Sequence, residues 1–367
     1  MDADVAIIGA GPAGTATALH LGQLGVKNVV LLDRHDFPRD KTCGSGVSPK
    51  GIEVLKALGV WDEVEASSYP INGLRLVTPG NREVFISGGG EAAAVICQRR
   101  TLDHLLLKRA QMLGTEFVPH FHAHELLMDD DRVVGVAAVD GRTVRARMTV
   151  VADGAHSRFT LQRTPKTVYQ AIMGWWEDVP FTPNHVELVF DKMVSPMYGW
   201  LFPEGPTRVN IGIVYPDDDH QKKARQLFQA FLDKHYAKRL GAGSPVGKWQ
   251  GHPVSYSFEI EKLTAPGRIV VGEAGRMTHP ATAEGIYQGM KSGMLAAEAL
   301  KELLCRERRE SVALRRYEAR CRSTFRVSLW ASRLWLNVVS SRLLDAIVAM
   351  TQHRSSKNTL GRLIGNM

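Results

Sequence analysis

The chain has 367 residues and a mass of 40.5 kDa, which is more than one hydrophobic core usually organises, so we expect two domains. A hydrophobic content of 44% and a charged content of 23% exclude an intrinsically disordered chain. The net charge of +8 suits an anionic lipid, a nucleic acid or an acidic substrate, but no nucleic-acid-binding motif accompanies it, so we expect no nucleic-acid partner.

A strand, a glycine-rich turn, a helix and a second strand open the chain. DVAIIGAG and NVVLLDR predict buried strands, and the AGTATALHLGQLGV segment between them predicts a helix. The turn has the form Gly9-x-Gly11-x-x-Gly14, and Asp33 follows nineteen residues after Gly14. Such a βαβ unit binds the diphosphate of a dinucleotide at the helix N-terminus and its ribose through the acidic residue.

The rest of the chain predicts a second domain. The dinucleotide-binding unit continues through a helix in TLDHLLLKRAQMLG and a buried strand that runs to Asp153, and RIVVGEAG restores the same pattern later. Between about Lys166 and Leu263, large apolar and polar residues alternate, which predicts an antiparallel sheet over a cavity. The expected fold class is α/β, or α+β overall, with a Rossmann-like parallel-sheet domain, an antiparallel-sheet substrate domain and C-terminal helices. The predicted boundaries are 1–70, 95–165 and 265–305 for the first domain, 71–94 and 166–264 for the second, and 306–367 for the helices.

Two later segments separate FAD from other dinucleotides by resemblance. VVADGAHSR resembles the second fingerprint of FAD-dependent hydroxylase-type flavoproteins of glutathione reductase fold, and IVVGEAGRMTHPATAEGIYQGMKSG resembles the third. FPRDKTCGSGVSP resembles the basic Cys-Gly loop of the geranylgeranyl reductase-like branch of that superfamily, and PMYGWLFP at 196–203 resembles its substrate-domain motif. Two positions depart from the pattern, because Glu273 replaces the usual aspartate and Val214 replaces a glycine. Glu273 would shift the contact with the ribityl chain of the flavin, and Val214 would change the shape of the substrate cavity.

The resemblance implies which residues face the flavin and the substrate. The catalytic or substrate-facing candidates that the resemblance implies are Cys43, Tyr198 and Trp200. The Cys43 thiol would either donate a proton or pack against its neighbours. Tyr198 and Trp200 would either line a cavity or fill a core. Arg99 stands where relatives place an arginine near the flavin. The alternatives are that Arg99 is a surface residue or that Arg100 is the one near the flavin. The motif and the resemblance together name as cofactor-binding candidates Gly9, Gly11, Pro12, Ala13, Gly14, Asp33, Arg34, Cys43, Gly44, Arg99, Asp153, Gly154, Gly272, Glu273, Pro280, Glu284, Gly285 and Ile286.

Three functions are compatible with these residues. The first, which we predict, is reduction of a carbon-carbon double bond in an apolar, isoprenoid-type substrate by hydride transfer from FADH2. The second is an FAD monooxygenase that hydroxylates an aromatic small molecule or a Trp or Tyr side chain of a partner protein; GWWEDVP at 174–180 only partly matches a halogenase segment. The third is a non-catalytic flavin electron carrier.

The remaining expectations concern donors, metals and location. No second GxGxxG is present, so NAD(P)H would bind transiently over the flavin, or an electron-donor protein would replace it. The histidines lack partners at ligand spacing, which predicts no metal site. Four widely spaced cysteines and an N-terminus without a signal-peptide pattern predict a cytoplasmic protein. The C-terminal helices are basic and amphipathic, so peripheral contact with a membrane is an alternative.

Overall fold

Three sheets and their flanking helices make up the part of the chain that the computed structural model describes, which is residues 1–87, 92–162, 167–216, 224–305, 309–341 and 343–351. The strands are β1 (Asp2–Ile8), β2 (Val29–Leu32), β3 (Gly46–Val47), β4 (Tyr69–Ile71), β5 (Gly73–Val77), β6 (Glu83–Ser87), β7 (Ala94–Ile96), β8 (Glu116–Val118), β9 (Ala123–Asp129), β10 (Arg132–Ala138), β11 (Thr143–Val151), β12 (Val168–Glu177), β13 (His185–Val189), β14 (Gly199–Pro203), β15 (Arg208–Pro216), β16 (Ser244–Ser255), β17 (Thr264–Ala265) and β18 (Arg268–Val270). The helices are α1 (Pro12–Gln23), α2 (Pro49–Leu58), α3 (Trp61–Ala66), α4 (Arg99–Met112), α5 (Ala224–His235), α6 (Ala237–Leu240), α7 (Ile286–Cys305), α8 (Glu310–Val339) and α9 (Leu343–Thr351), with 3₁₀ turns at Gly154–His156 and Gly272–Gly275.

The first sheet carries the glycine turn at the carboxyl end of its central strand. Its order is β17-β18-β11-β1-β2-β8, with β10 and β9 added as an antiparallel ribbon at the start of β11. β1 pairs in parallel with both β11 and β2, and its residues from Val5 to Ile8 are buried. α1 packs closely on α7, where a Cβ on Gly293 would lie 2.5 Å from the Ala13 carbonyl oxygen. The predicted Rossmann-like unit is confirmed.

The second sheet forms a wall opposite the first. Its order is β16-β12-β15-β14-β13-β5-β6, and one face packs on α5 through Phe228 and Phe231. The predicted alternation is present and β5 and β6 pair antiparallel, but β5 and β13 pair in parallel. These two strands come from distant parts of the chain, so no hairpin forces them to be antiparallel. A smaller antiparallel sheet has the order β3-β7-β4.

The long helix α8 joins the two halves of the molecule. Its first half buries Tyr317 and Phe325 in the core of the first sheet and α7, and its second half buries Leu336 in the core of the second sheet. α9 continues on the second sheet, where Thr78 donates a hydrogen bond to Asp345. No helix among the described residues is long and apolar enough to cross a membrane. The domain boundaries remain predictions, and residues 352–367 of the predicted helical region lie outside the described residues.

Candidate functional site

Two positions in the turn between β1 and α1 accept only glycine. Gly9 has φ +103°, and a Cβ there would lie 2.5 Å from the carbonyl oxygen of Ala152. A Cβ on Gly14 would lie 1.9 Å from the carbonyl oxygen of Gly9. Gly11 is the N-cap of α1 and Pro12 opens the helix, so the first turn of α1 presents its unpaired N–H groups at the turn. This geometry suits a phosphate-bearing ligand.

Asp33 is held at the end of β2 by two backbone amides. The N–H of Ala10 donates to Asp33 Oδ2 at 2.8 Å, and the N–H of His35 donates to Asp33 Oδ1 at 2.9 Å. Each carboxylate oxygen has a second lone pair, so the fixed carboxylate can still accept hydrogen bonds from ribose hydroxyls. Arg34 is exposed beside it and donates through Nε to His35 Nε2 at 3.1 Å.

A cavity of about 910 Å³ runs from the glycine turn to the second sheet. This is within the upper range of pockets that bind small molecules and cofactors. Gly14, Gly272 and Pro280 are buried behind its wall rather than in it. The other predicted site residues line the cavity, namely Gly9, Gly11, Pro12, Ala13, Asp33, Arg34, Cys43, Gly44, Arg99, Asp153, Gly154, Tyr198, Trp200, Glu273, Glu284, Gly285 and Ile286.

Two guanidinium groups flank the glycine turn and share one carboxylate. Arg99 donates to both oxygens of Asp103 at 2.7 and 2.6 Å, and Arg39 lies 3.1 Å from Asp103 Oδ2. A Cβ added to Gly11 would find these two guanidinium groups within about 4 Å. Burial lowers the pKa of Arg99, but the charge of Asp103 outweighs it and raises that pKa above its ordinary value. Arg39 and Asp103 were not predicted; the basic loop and the four-residue spacing to Arg99 were the only signals.

A lysine-histidine pair joins the Cys-Gly loop to β16. Lys41 Nζ lies 3.4 Å from His252 Nε2, and His252 Nδ1 lies 2.6 Å from the carbonyl oxygen of Pro253, which assigns the ring proton to Nδ1. Burial, followed by the charge of Arg99, lowers the pKa of Lys41. Burial and the charge of Lys41 lower the pKa of His252 to about 4, so this imidazole is neutral at pH 7. The sequence did not predict this pair.

The Cys-Gly loop contacts the aromatic motif of β14. A Cβ on Gly44 would lie 3.2 Å from the ring of Phe202 and 3.5 Å from Trp200 Nε1. Trp200 donates to Asn210 Oδ1 at 2.7 Å, and its ring lies so close to Gly212 that a Cβ there would be 2.3 Å from Cζ2. The indole is therefore held rigidly by a buried amide and a glycine, with Asn210 a residue that sequence reasoning missed.

Three carboxyl groups lie in the wall between the two sheets. The Asp153 oxygen Oδ1 is shielded from solvent and has no hydrogen-bond partner among the described residues, and burial raises the pKa of Asp153 to about 6. Glu273 Oε1 accepts a hydrogen bond from the backbone N–H of Ser255 at 2.9 Å, so the longer side chain at this departure contacts the second sheet. Burial also raises the pKa of Glu284, whose Oε1 has no partner in the described part of the chain.

These groups fit FAD. The unpartnered buried atoms Asp153 Oδ1 and Thr278 Oγ1 belong to residues of the cavity wall, and native proteins rarely leave such atoms unpaired. A ligand with hydroxyl and ring N–H donors at one end and a diphosphate at the other satisfies them, while Arg39, Arg99 and the start of α1 provide for the phosphates. No group of three His, Cys, Asp or Glu side chains that could hold a metal ion occurs within the described ranges.

Comparisons with known proteins agree with this fit. The family model described as "FAD binding domain" matches residues 2–327. Digeranylgeranylglycerophospholipid reductase 2 of Methanopyrus kandleri is 28% identical over 94% of this chain and 89% of its own length. Menaquinone reductase of Mycobacterium tuberculosis is 31% identical over 81% of this chain and 76% of its own. The structure of a geranylgeranyl bacteriochlorophyll reductase-like protein from Thermoplasma acidophilum superposes with a TM-score of 0.86, 21% identity, and coverage of 96% and 92% of the two chains.

Proposed function

This chain belongs to the FAD-binding-domain family, in its geranylgeranyl reductase-like branch, and from that premise we propose that it is a reductase of isoprenoid carbon-carbon double bonds. When bound, FAD in its reduced form supplies the hydride for such a reaction. The relatives named above act on digeranylgeranylglycerophospholipid and on menaquinone, which both carry isoprenoid chains. We assign the same substrate class here.

The observation that supports this proposal is the apolar half of the cavity. The second sheet contributes Met173, Leu188, Val214 and Val254 to the cavity wall, and this surface is continuous with Trp200 at the Cys-Gly loop. An isoprenoid chain consists of methyl-branched units that bind by apolar contact alone. Val214, at the departure from the family motif, adds a buried side chain to this wall and narrows the cavity.

The protein's own groups then have distinct tasks. Asp33 and the first turn of α1 hold the adenosine and diphosphate portions, with Arg39 and Arg99 as counter-charges. The aromatic side chains of β14 exclude water and orient the alkene. Cys43 lies in the same wall, where its sulfur accepts a hydrogen bond from the N–H of Ser45 at 3.3 Å, so the sulfur is held at the cavity surface.

The test is anaerobic reoxidation. Holoprotein reduced with dithionite and mixed with a geranylgeranyl lipid should return to the oxidised flavin spectrum, and mass spectrometry should find two hydrogens added per reduced double bond. Free reduced FAD with the same lipid is the control. A flavin hydroperoxide in air with an unchanged lipid would identify a monooxygenase instead, and reoxidation only by a second redox protein would identify a carrier.

The electron donor is a separate proposal. We assign NAD(P)H as the external donor, bound transiently over the flavin. Stopped-flow mixing of oxidised holoprotein with NADH or NADPH under nitrogen should bleach the flavin absorbance. If both nicotinamides leave the spectrum unchanged while dithionite bleaches it, the donor is a protein.

We further propose that α8 and α9 rest on an anionic membrane. Their C-terminal apolar surface consists of Val327, Trp330, Leu334, Leu343 and Met350, with Val327 70% and Trp330 62% exposed. Arg326 and Arg333 are exposed on the same helix and complement anionic headgroups. On the inner side of α8, Trp335 contacts Phe190, which contacts Tyr198 of the cavity wall. The surface therefore lies over the apolar end of the substrate site.

Replacing Trp330 with glutamate should reduce binding to phosphatidylglycerol vesicles about tenfold, because it removes an interfacial indole and adds a repelled charge. Sedimentation with vesicles measures this. Val139→Glu, an apolar-to-acidic change at a residue 64% exposed on the β10–β11 turn, is the matched control and should bind as the wild type does. Equal binding by both variants, or a wild type that does not bind, would contradict membrane contact.

A further inference from the structure

We propose that Glu284 is the general acid that protonates the substrate alkene. The residue stands in the turn before α7, on the cavity wall, next to Ser48 and Gln288 and facing the same cavity as Tyr198. The inference rests on the proposed function, since it supplies the proton that reduction of a double bond requires. Sequence resemblance had suggested only cofactor contact for this position.

The surroundings of the Glu284 carboxyl group favour its protonated form. Its oxygen Oε1 is shielded from solvent and lacks a hydrogen-bond partner among the described residues, which is costly for an ionised carboxylate. Burial raises its pKa, although Ser48, Lys50 and Gln288 act in the opposite direction. A neutral carboxyl group removes the unfavourable buried charge and has an O–H to donate.

The other acids at this end of the cavity are less suited. The Tyr198 hydroxyl already donates to the carbonyl oxygen of Thr282, and burial raises its pKa. The Cys43 sulfur accepts the Ser45 N–H at 3.3 Å and interacts with the guanidinium group of Arg99, so two donors already contact it. Of Tyr198, Cys43 and Glu284, only Glu284 is therefore an acid that has an oxygen without a partner among the described residues.

The step balances with a dihydroflavin as the reductant. The π bond of the alkene breaks, one carbon takes a hydride with its electron pair from the dihydroflavin, and the adjacent carbon takes the proton of the Glu284 carboxyl group. Two C–H bonds form, the alkene is reduced, the dihydroflavin is oxidised by two electrons and releases its remaining N–H proton to solvent, and Glu284 is left as a carboxylate. Water that enters after product release returns the proton.

The experiment compares Glu284→Gln with the wild type in a single anaerobic turnover. Dithionite-reduced holoprotein is mixed with a geranylgeranyl lipid, and flavin reoxidation is followed by stopped flow. We expect Glu284→Gln to bind FAD and accept dithionite electrons normally but to reoxidise about 100-fold more slowly, as is typical when a general acid is lost. Glu302→Gln, near the C-terminal end of α7 where Glu302 pairs with Arg316, is the control and should match the wild type.

The pH profile separates an acid from a structural residue. Glu284 must be protonated to act, so the wild-type rate should fall as pH rises through its raised pKa, and Glu284→Gln should lose that limb. Glu284→Asp keeps an acid, so its rate should be lower but should still fall as pH rises. This variant provides the test if Glu284→Gln does not bind FAD. A Glu284→Gln rate equal to the wild type, or a Glu284→Asp profile without the limb, overturns the inference alone. A wild type that reduces no isoprenoid double bond overturns the proposed function and this inference with it.

Discussion

Replacement of Gly14 by valine is expected to abolish FAD binding. A Cβ at this position would lie 1.9 Å from the carbonyl oxygen of Gly9, which is a backbone atom and cannot move aside as a flexible side chain would. The side chain would push α1 away from β1 and remove the N–H groups that face the diphosphate. We expect FAD affinity to fall more than about 100-fold and the free energy of unfolding to fall by more than about 4 kcal/mol.

The measurement is flavin content after purification, followed by titration of the apoprotein with FAD. Gly205→Val is the matched control, because no atom lies within 4 Å of a Cβ there and its φ is not in the left-handed region. That variant should be yellow and as stable as the wild type. A Gly14→Val protein that retains stoichiometric FAD would show that the turn does not bind the cofactor.

Replacement of Asp103 by asparagine should lower the free energy of unfolding of the apoprotein by about 3–5 kcal/mol, because it leaves buried guanidinium groups without a counter-charge. Asp103 is fully buried, Arg99 is 6% exposed, and Arg39 depends on the same carboxylate. The two arginines should also lose their fixed positions beside the glycine turn. We therefore expect weaker FAD binding in addition to lower stability.

Urea unfolding monitored by tryptophan fluorescence measures the first effect and FAD titration the second. Asp4→Asn removes a surface pair with Arg147 and should change the free energy of unfolding by less than about 1 kcal/mol. If Asp103→Asn is as stable as Asp4→Asn, the buried cluster does not depend on its carboxylate. If stability falls but FAD affinity does not, the arginines do not contact the cofactor.

The sequence by itself determined the parts of this protein that depend on local sterics and periodicity. Gly9 and Gly14 were identifiable because no other residue fits the close approach of helix and strand, and Asp33 because it ends the second strand of the same unit. The alternation around Tyr198 and Trp200 predicted a sheet with one face on a cavity, since side chains in a strand point to opposite faces. Resemblance to a family added FAD and the Cys-Gly loop.

Only the tertiary structure decided which distant groups meet. Lys41 and His252 are separated by 211 positions, and the burial that changes their pKa values exists only when β16 lies against the Cys-Gly loop. The shared carboxylate of Asp103 and the unpartnered oxygen of Glu284 likewise depend on how elements pack, which residue spacing does not encode. Local pattern therefore predicted where the cofactor binds, while long-range packing determined the charges and proton donors around it.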